Sequence, residues 1–165
     1  HLDGLMDFGD GLMAHGGREK RVGALTDRQI GTGGVAMAIA VTLLSFGSLA
    51  AAPCLPCALI VAEVGGKFSM AFLSTFGRPF REGIHSSIQS HSKPYFPVLA
   101  AILCIPLVLL PIAPASLGLA SVMMIACPTA LLLVSRKLFG GVNGDVTGAS
   151  NEITRAAVLV SLCLL

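Results

Sequence analysis

The chain has 165 residues, of which 54% are hydrophobic and only 12% charged, and its formal net charge is +2. A mean hydropathy of +0.82 lies far outside the range of soluble domains. So small a positive charge, with aromatic residues at 5%, gives no case for nucleic-acid binding and points to a protein embedded in a lipid bilayer.

The first predicted element is an amphipathic helix in an acidic motif over residues 1–28. On a helix, Asp3, Asp7 and Asp10 fall within roughly a 60° arc, with Leu5, Phe8 and Leu12 on the opposite side. Three like charges on one narrow face repel each other and raise their own pKa values unless a cation sits among them. An interfacial helix normally turns Lys or Arg toward anionic lipid. This one shows only acids on that face, so the triplet reads as a divalent-metal site that handles phosphate. No initiator Met or signal peptide precedes the motif, and the sequence is read as lacking an N-terminal portion.

Two stretches, Gln29 to Ala62 and Pro94 to Ser135, carry no Asp, Glu, Lys or Arg. Each is long enough for two crossings of a hydrocarbon core that needs about 20 apolar residues. With the C-terminal run, five transmembrane helices are expected, at about 30–52, 55–77, 95–112, 116–135 and 147–165. The fold class is therefore all-α, a single polytopic membrane bundle over residues 1–165. Asp27 and Arg28 stand before the first span; Asp27 suits a helix cap or a metal, and Arg28 offers a guanidinium fork for phosphate. Pro53 and Pro56 mark one hairpin, and Pro111 and Pro114 another. Pro97, Pro106 and Pro128 fall inside spans and are expected to kink them. Cys54 and Cys57 form a Cys-x-x-Cys in the first hairpin, read as a tight turn with no disulfide framework around it.

Glu63 and Lys67 lie mid-span, four residues apart, where ionisable groups are costly. Their spacing predicts a mutually neutralising pair, with Lys67 also a phosphate-binding candidate. The loop after the second span carries Arg78 and Arg81, candidates to hold an anionic substrate, while His15, His85 and His91 lack ligand spacing and read as surface residues. A glycine-rich stretch, Gly140-Gly-Val-Asn-Gly-Asp145, leads into the last span, where Asp145 and Glu152, seven apart, share a helix face. Outside the spans, the basic residues precede the first span, follow the second and follow the fourth; both Pro turns are uncharged. All basic loops then share one side, which the positive-inside rule makes cytoplasmic, and every polar motif shares it too.

These motifs together resemble the cobalamin synthase family, the adenosylcobinamide-GDP ribazoletransferases. The resemblance rests on His1-Leu-Asp-Gly-Leu-x-Asp-x-x-Asp-Gly-Leu12, on Asp27-x-x-Ile-Gly-Thr-x-Gly34, and on Gly140-Gly-x-x-Gly-Asp-x-x-Gly-Ala149 with Glu152. It covers nearly the whole chain and is similar in detail to an archaeal branch. Three positions depart from the family pattern: Gln29 where an arginine is usual (Arg28 comes one residue early), Asn143 for a threonine, and Arg155 for a second glutamate.

The resemblance implies Mg²⁺-dependent transfer of the adenosylcobinamide phosphate from adenosylcobinamide-GDP to α-ribazole, or its 5′-phosphate, with release of GMP. It implies metal ligands among Asp3, Asp7, Asp10 and Asp27, catalytic carboxylates among Asp7, Asp10, Asp145 and Glu152, and substrate contacts at His1, Arg28, Lys67, Arg81 and Asn143. It also implies a multi-pass cell-membrane protein with its active site on the cytoplasmic face, and it leaves homo-oligomerisation open. Two other readings share the helix-borne acids and the mid-span charges: a CDP-alcohol-type phosphotransferase of lipid synthesis, and a non-enzymatic membrane transporter.

Overall fold

A computed structural model describes residues 1–164; the final residue of the fifth expected span, Leu165, lies outside them. The described residues fold into eight α-helices: α1 (Leu2–Met13), α2 (Arg18–Leu25), α3 (Thr32–Ala51), α4 (Leu55–Phe76), α5 (Ile84–His91), α6 (Phe96–Cys104), α7 (Pro114–Leu138) and α8 (Gly144–Cys163). A 3-10 turn, Ile105–Leu109, extends α6. Among the described residues the one extended pairing is an isolated bridge between Pro79 and Val142.

Among the described residues three helices, α3, α4 and α7, are long and apolar enough to cross a bilayer. The third expected span is broken. Pro97 opens α6 and Pro106 sits in the 3-10 turn, so neither kinks a continuous helix. The pair formed by α5 and α6 with its 3-10 extension passes the same length and composition test only together, and it is bent by 92°. Counted as one span, it makes four.

The fifth expected span is α8, and it explains the arrangement of the others. It packs against α4, α7, α1 and α3, and is buried nearly all round, including Ser150, Asn151, Glu152 and Thr154. Protein rather than lipid satisfies its polar side chains: Thr154 Oγ1 donates to Ser69 Oγ at 2.9 Å. The surrounding helices instead turn Ile39, Leu43, Phe46, Leu59 and Ile125 outward, an apolar collar that a hydrocarbon phase would cover.

Helix ends are closed by basic side chains from neighbouring segments. Arg21 donates to the carbonyls of Leu12 (2.7 Å) and Gly11 (3.3 Å) at the end of α1. Arg136 donates to the Phe76 carbonyl at the end of α4, at 2.8 Å. Each guanidinium thus meets unpaired carbonyls and the negative end of a helix dipole. At the other end of the bundle, Cys54 and Cys57 are disulfide-bonded at the start of α4. The Cys-x-x-Cys read as a simple turn is therefore cross-linked as well, because a helix N-terminus brings residues three apart onto one side.

Candidate active site

The start of α3, the end of α4 and the start of α8 meet at one end of the bundle, and α1 lies across α3 and α8 there. Two close backbone approaches hold α1 in place. At Gly4, a side chain would come within 2.6 Å of the Asp145 carbonyl, so only glycine lets α1 settle on the first turn of α8. At Gly34, a Cβ would stand 2.7 Å from Asp10 Oδ2 and equally close to the Met6 carbonyl.

Asp10 has a defined task in that contact. Its Oδ2 accepts the Gly31 N–H and its Oδ1 the Gly34 N–H, both at 2.8 Å. Gly31 is the N-cap of α3 and has no side chain to cap with. A carboxylate from a different helix supplies the cap, at the positive end of the α3 dipole. The Gly-Thr-Gly-Gly sequence is thus the receptor for Asp10, and Asp10 is a strut between α1 and α3. Asp27 does not cap α3; it is exposed and accepts the Gln29 N–H at 3.1 Å in a local turn.

Asp7 is the centre of the acid cluster. Burial, followed by the nearby charges of Asp145, Asp3 and Asp10, raises its pKa from 3.8 to about 6. The sequence placed Asp3, Asp7 and Asp10 together; the fold adds Asp145 from the far end of the chain. Asp145 accepts a hydrogen bond from Asn143 Nδ2 at 2.6 Å, and Arg81 approaches it at 3.9 Å. Asn143 also caps α8, accepting the Val146 N–H at 3.0 Å, and is itself 4% exposed. Its job is therefore to orient Asp145 and close the helix. Arg81, Asp145, Asn143 and Gly144 line a cavity of about 200 Å³. His1 lies over Gly148, one turn further along α8, and Arg28 is exposed on the segment before α3.

Among the described residues no group of three or more His, Cys, Asp or Glu side chains closes on a point that a metal ion would occupy. Asp10 has both oxygens bonded to α3 and Asp27 is turned to its own loop, so neither fits the ligand set that the resemblance implied. Asp7, Asp145 and Asp3 do fit a different mode. Mg²⁺ needs only one or two protein carboxylates when phosphate oxygens and water complete its shell.

Glu152 and Lys67 belong to a second polar group, deeper in the bundle. Arg155 donates to Glu152 Oε2 at 2.6 Å and to Glu63 Oε1 at 3.0 Å. Asn151 donates to Glu152 Oε1 at 3.0 Å and accepts from Lys67 Nζ at 2.9 Å. The expected Glu63–Lys67 pair is replaced by two links from α4 to α8. Glu152 shares a face with Asp145 as the spacing requires, but seven residues of helix separate the two by about 10 Å. The carboxylate cluster and this network are separate.

A model of one protein family, cobalamin-5-phosphate synthase, matches residues 1–163 of the chain. The chain belongs to that family. Similar proteins named adenosylcobinamide-GDP ribazoletransferase occur in Methanococcoides burtonii, 36% identical over 98% of this chain, and Methanosarcina mazei, 35% identical over 99%. A third, from Methanosarcina barkeri, is 37% identical over 100% of this chain. The alignments take in 64%, 65% and 66% of these relatives, so the chain spans just under two thirds of their length. No solved structure matches it.

Within this member of the cobalamin-5-phosphate synthase family, the three departures from the family pattern now have positions. Asn143 takes up helix capping and the orientation of Asp145, and Arg155 bridges two glutamates that would otherwise repel. Gln29 gives its N–H to the Asp27 turn. His85, read as a surface residue, is instead 4% exposed, held between the Gly77 carbonyl and Thr147. Its loop position hid this, because both partners come from other elements.

Proposed function

We propose that this chain carries the acid-bearing active-site end of an adenosylcobinamide-GDP ribazoletransferase that requires Mg²⁺. The observation that carries this reading is Asp7, a half-buried carboxylate set among other carboxylates and forced up to a pKa of about 6. A divalent cation would remove the repulsion that the fold has assembled. The family membership of the chain and the printed names of its relatives support the substrate assignment.

In this reading Asp7 and Asp145 hold Mg²⁺, and Arg81 beside Asp145 meets the phosphate charge. When bound, the ion neutralises charge on the pyrophosphate of adenosylcobinamide-GDP. A hydroxyl oxygen of α-ribazole, or of its 5′-phosphate, forms a bond to the cobinamide-side phosphorus. The bond from that phosphorus to the bridging oxygen breaks, and GMP leaves with that oxygen. The hydroxyl proton passes to a carboxylate. Asp10 is committed to α3 and two others are taken by the ion, which leaves Asp3, exposed at the mouth of the site, for that task. In the same reading this end of the bundle faces the cytoplasm from the cell membrane, which the one-sided placement of the basic loops supports.

The test is GMP release by the purified protein in detergent, supplied with adenosylcobinamide-GDP, α-ribazole and Mg²⁺. Release is expected to stop when Mg²⁺ is chelated, and to fall at least about a hundredfold in Asp7→Asn with helix content unchanged. Near-parental turnover by that variant, or turnover without a divalent ion, rejects the assignment.

A further inference from the structure

His85 is a buried imidazole with no part in the chemistry above, yet it touches both sides of the cavity that Arg81 and Asp145 share. Its Nε2 lies 3.0 Å from the Gly77 carbonyl, which can only accept, so Nε2 carries a hydrogen. That bond runs back from the first turn of α5 to the residue that ends α4, and closes the loop 77–85 on itself. Arg81 sits in the middle of the closed loop. The loop is pinned a second time by the Val142 N–H, which donates to the Arg78 carbonyl at 2.8 Å.

The other ring nitrogen faces α8. Nδ1 lies 3.3 Å from Thr147 Oγ1, and that hydroxyl is 3.0 Å from the Asn143 carbonyl. Asn143 in turn donates to Asp145 Oδ2 at 2.6 Å. The contacts therefore run His85, Thr147, Asn143, Asp145, and each member except Asp145 is buried. One side chain fixes the loop that presents the cation and the helix turn that presents the carboxylate.

We propose that His85 is a positioning residue, setting Arg81 and Asp145 at the separation needed to receive a phosphate-bearing substrate. This rests on the reading of the acidic end as a phosphate-transfer site. A histidine that merely filled space would be replaced by leucine at little cost to substrate recognition. A positioning histidine needs a donor toward the Gly77 carbonyl and a polar atom packed against Thr147 Oγ1, whose one hydrogen goes to the Asn143 carbonyl, and a glutamine amide offers both.

Kinetics and backbone hydrogen exchange are measured on the purified protein and on His85→Leu, His85→Gln and Thr147→Val. In His85→Leu the KM for adenosylcobinamide-GDP is expected to rise about tenfold, the usual scale for losing an outer-shell partner, while the KM for α-ribazole stays put. Thr147→Val, which cuts only the link to α8, is expected to show a smaller rise in the same KM. His85→Gln should restore it to near the parental value. Amides in residues 77–83 and 143–147 should exchange faster in His85→Leu and recover in His85→Gln, with α7 unchanged. A fall in kcat with both KM values constant, or unchanged exchange in both segments, overturns the proposal. If the parent protein releases no GMP but the exchange pattern holds, it is the transferase reading that fails, and the positioning role stands on exchange alone.

Discussion

At the scale of single residues, Asp7 sets the balance between function and stability. Its carboxyl is raised to about 6 in the fold against 3.8 for a free side chain. Between those values the folded chain binds more protons than the unfolded chain, so stability falls as pH rises through that window and stays lower above it. Asparagine carries no charge and escapes the penalty. In metal-free buffer at pH 7.5, Asp7→Asn is therefore expected to melt a few degrees above the parent, with the gap closing as pH is lowered from 6 toward 4. Differential scanning fluorimetry in detergent measures both; equal melting temperatures at every pH contradict the penalty that burial and the neighbouring carboxylates place on the Asp7 charge. The variant that loses activity would then be the more stable protein, as expected of a site built from like charges. The repulsion itself was legible in the sequence, because Asp3, Asp7 and Asp10 follow helical spacing. The engagement of Asp10 was not, because its partners are backbone N–H groups at Gly31 and Gly34, which carry no side-chain signal.

At the scale of elements, α8 is the keystone and its charged residues are held in a network with α4. Glu152 is 8% exposed and depends on Arg155 for its counter-charge, as Glu63 does. Removing one member of a buried pair costs far more than replacing the whole set, because the remaining charge is left unpaired. Arg155 and Glu63 are partly exposed, so Arg155→Met is expected to destabilise the bundle by less than a fully buried break, about 1–2 kcal/mol. Adding Glu152→Gln and Glu63→Gln to it should recover most of that loss. Unfolding midpoints in a denaturing-detergent titration give the comparison; a triple variant no better than Arg155→Met alone would show that the charges are not coupled. The sequence announced that Glu63 and Lys67 needed partners, since ionised groups at membrane depth are rarely left alone. It favoured each for the other on spacing. The partners came from α8, 84 residues away from Lys67 and 92 from Glu63. Local periodicity reports which face a residue occupies and is blind to which distant helix covers that face.

At the scale of the whole molecule, the two ends of the bundle are chemically opposite. One end collects the acids of α1 and α8 together with Arg18, Arg21, Arg28, Arg81 and Arg136; the other has two uncharged Pro turns and the Cys54–Cys57 disulfide. This asymmetry was readable from the placement of charge between apolar runs, because it depends only on which loops alternate. The number of spans was less so. A run free of charges does not reveal that the α5–α6 pair is bent by 92°, and α8, surrounded by protein and carrying Asn151, Glu152 and Arg155, is not apolar enough to count with α3, α4 and α7. The proposed orientation puts the acidic end in the cytoplasm, where the nucleotide-linked substrate is dissolved, and the disulfide on the oxidising side. Single cysteines in an otherwise cysteine-free protein test it. Ala113→Cys, in the exposed turn before α7, should react with a membrane-impermeant maleimide on intact cells. Ser90→Cys, exposed on α5, should react only after the cells are opened. The reverse pattern would put Asp7 on the outer face, away from any cytoplasmic pool of adenosylcobinamide-GDP, and the transferase reading would fall with it. Labelling at both positions on intact cells would mean the bundle inserts in two orientations, which the one-sided placement of its arginines forbids.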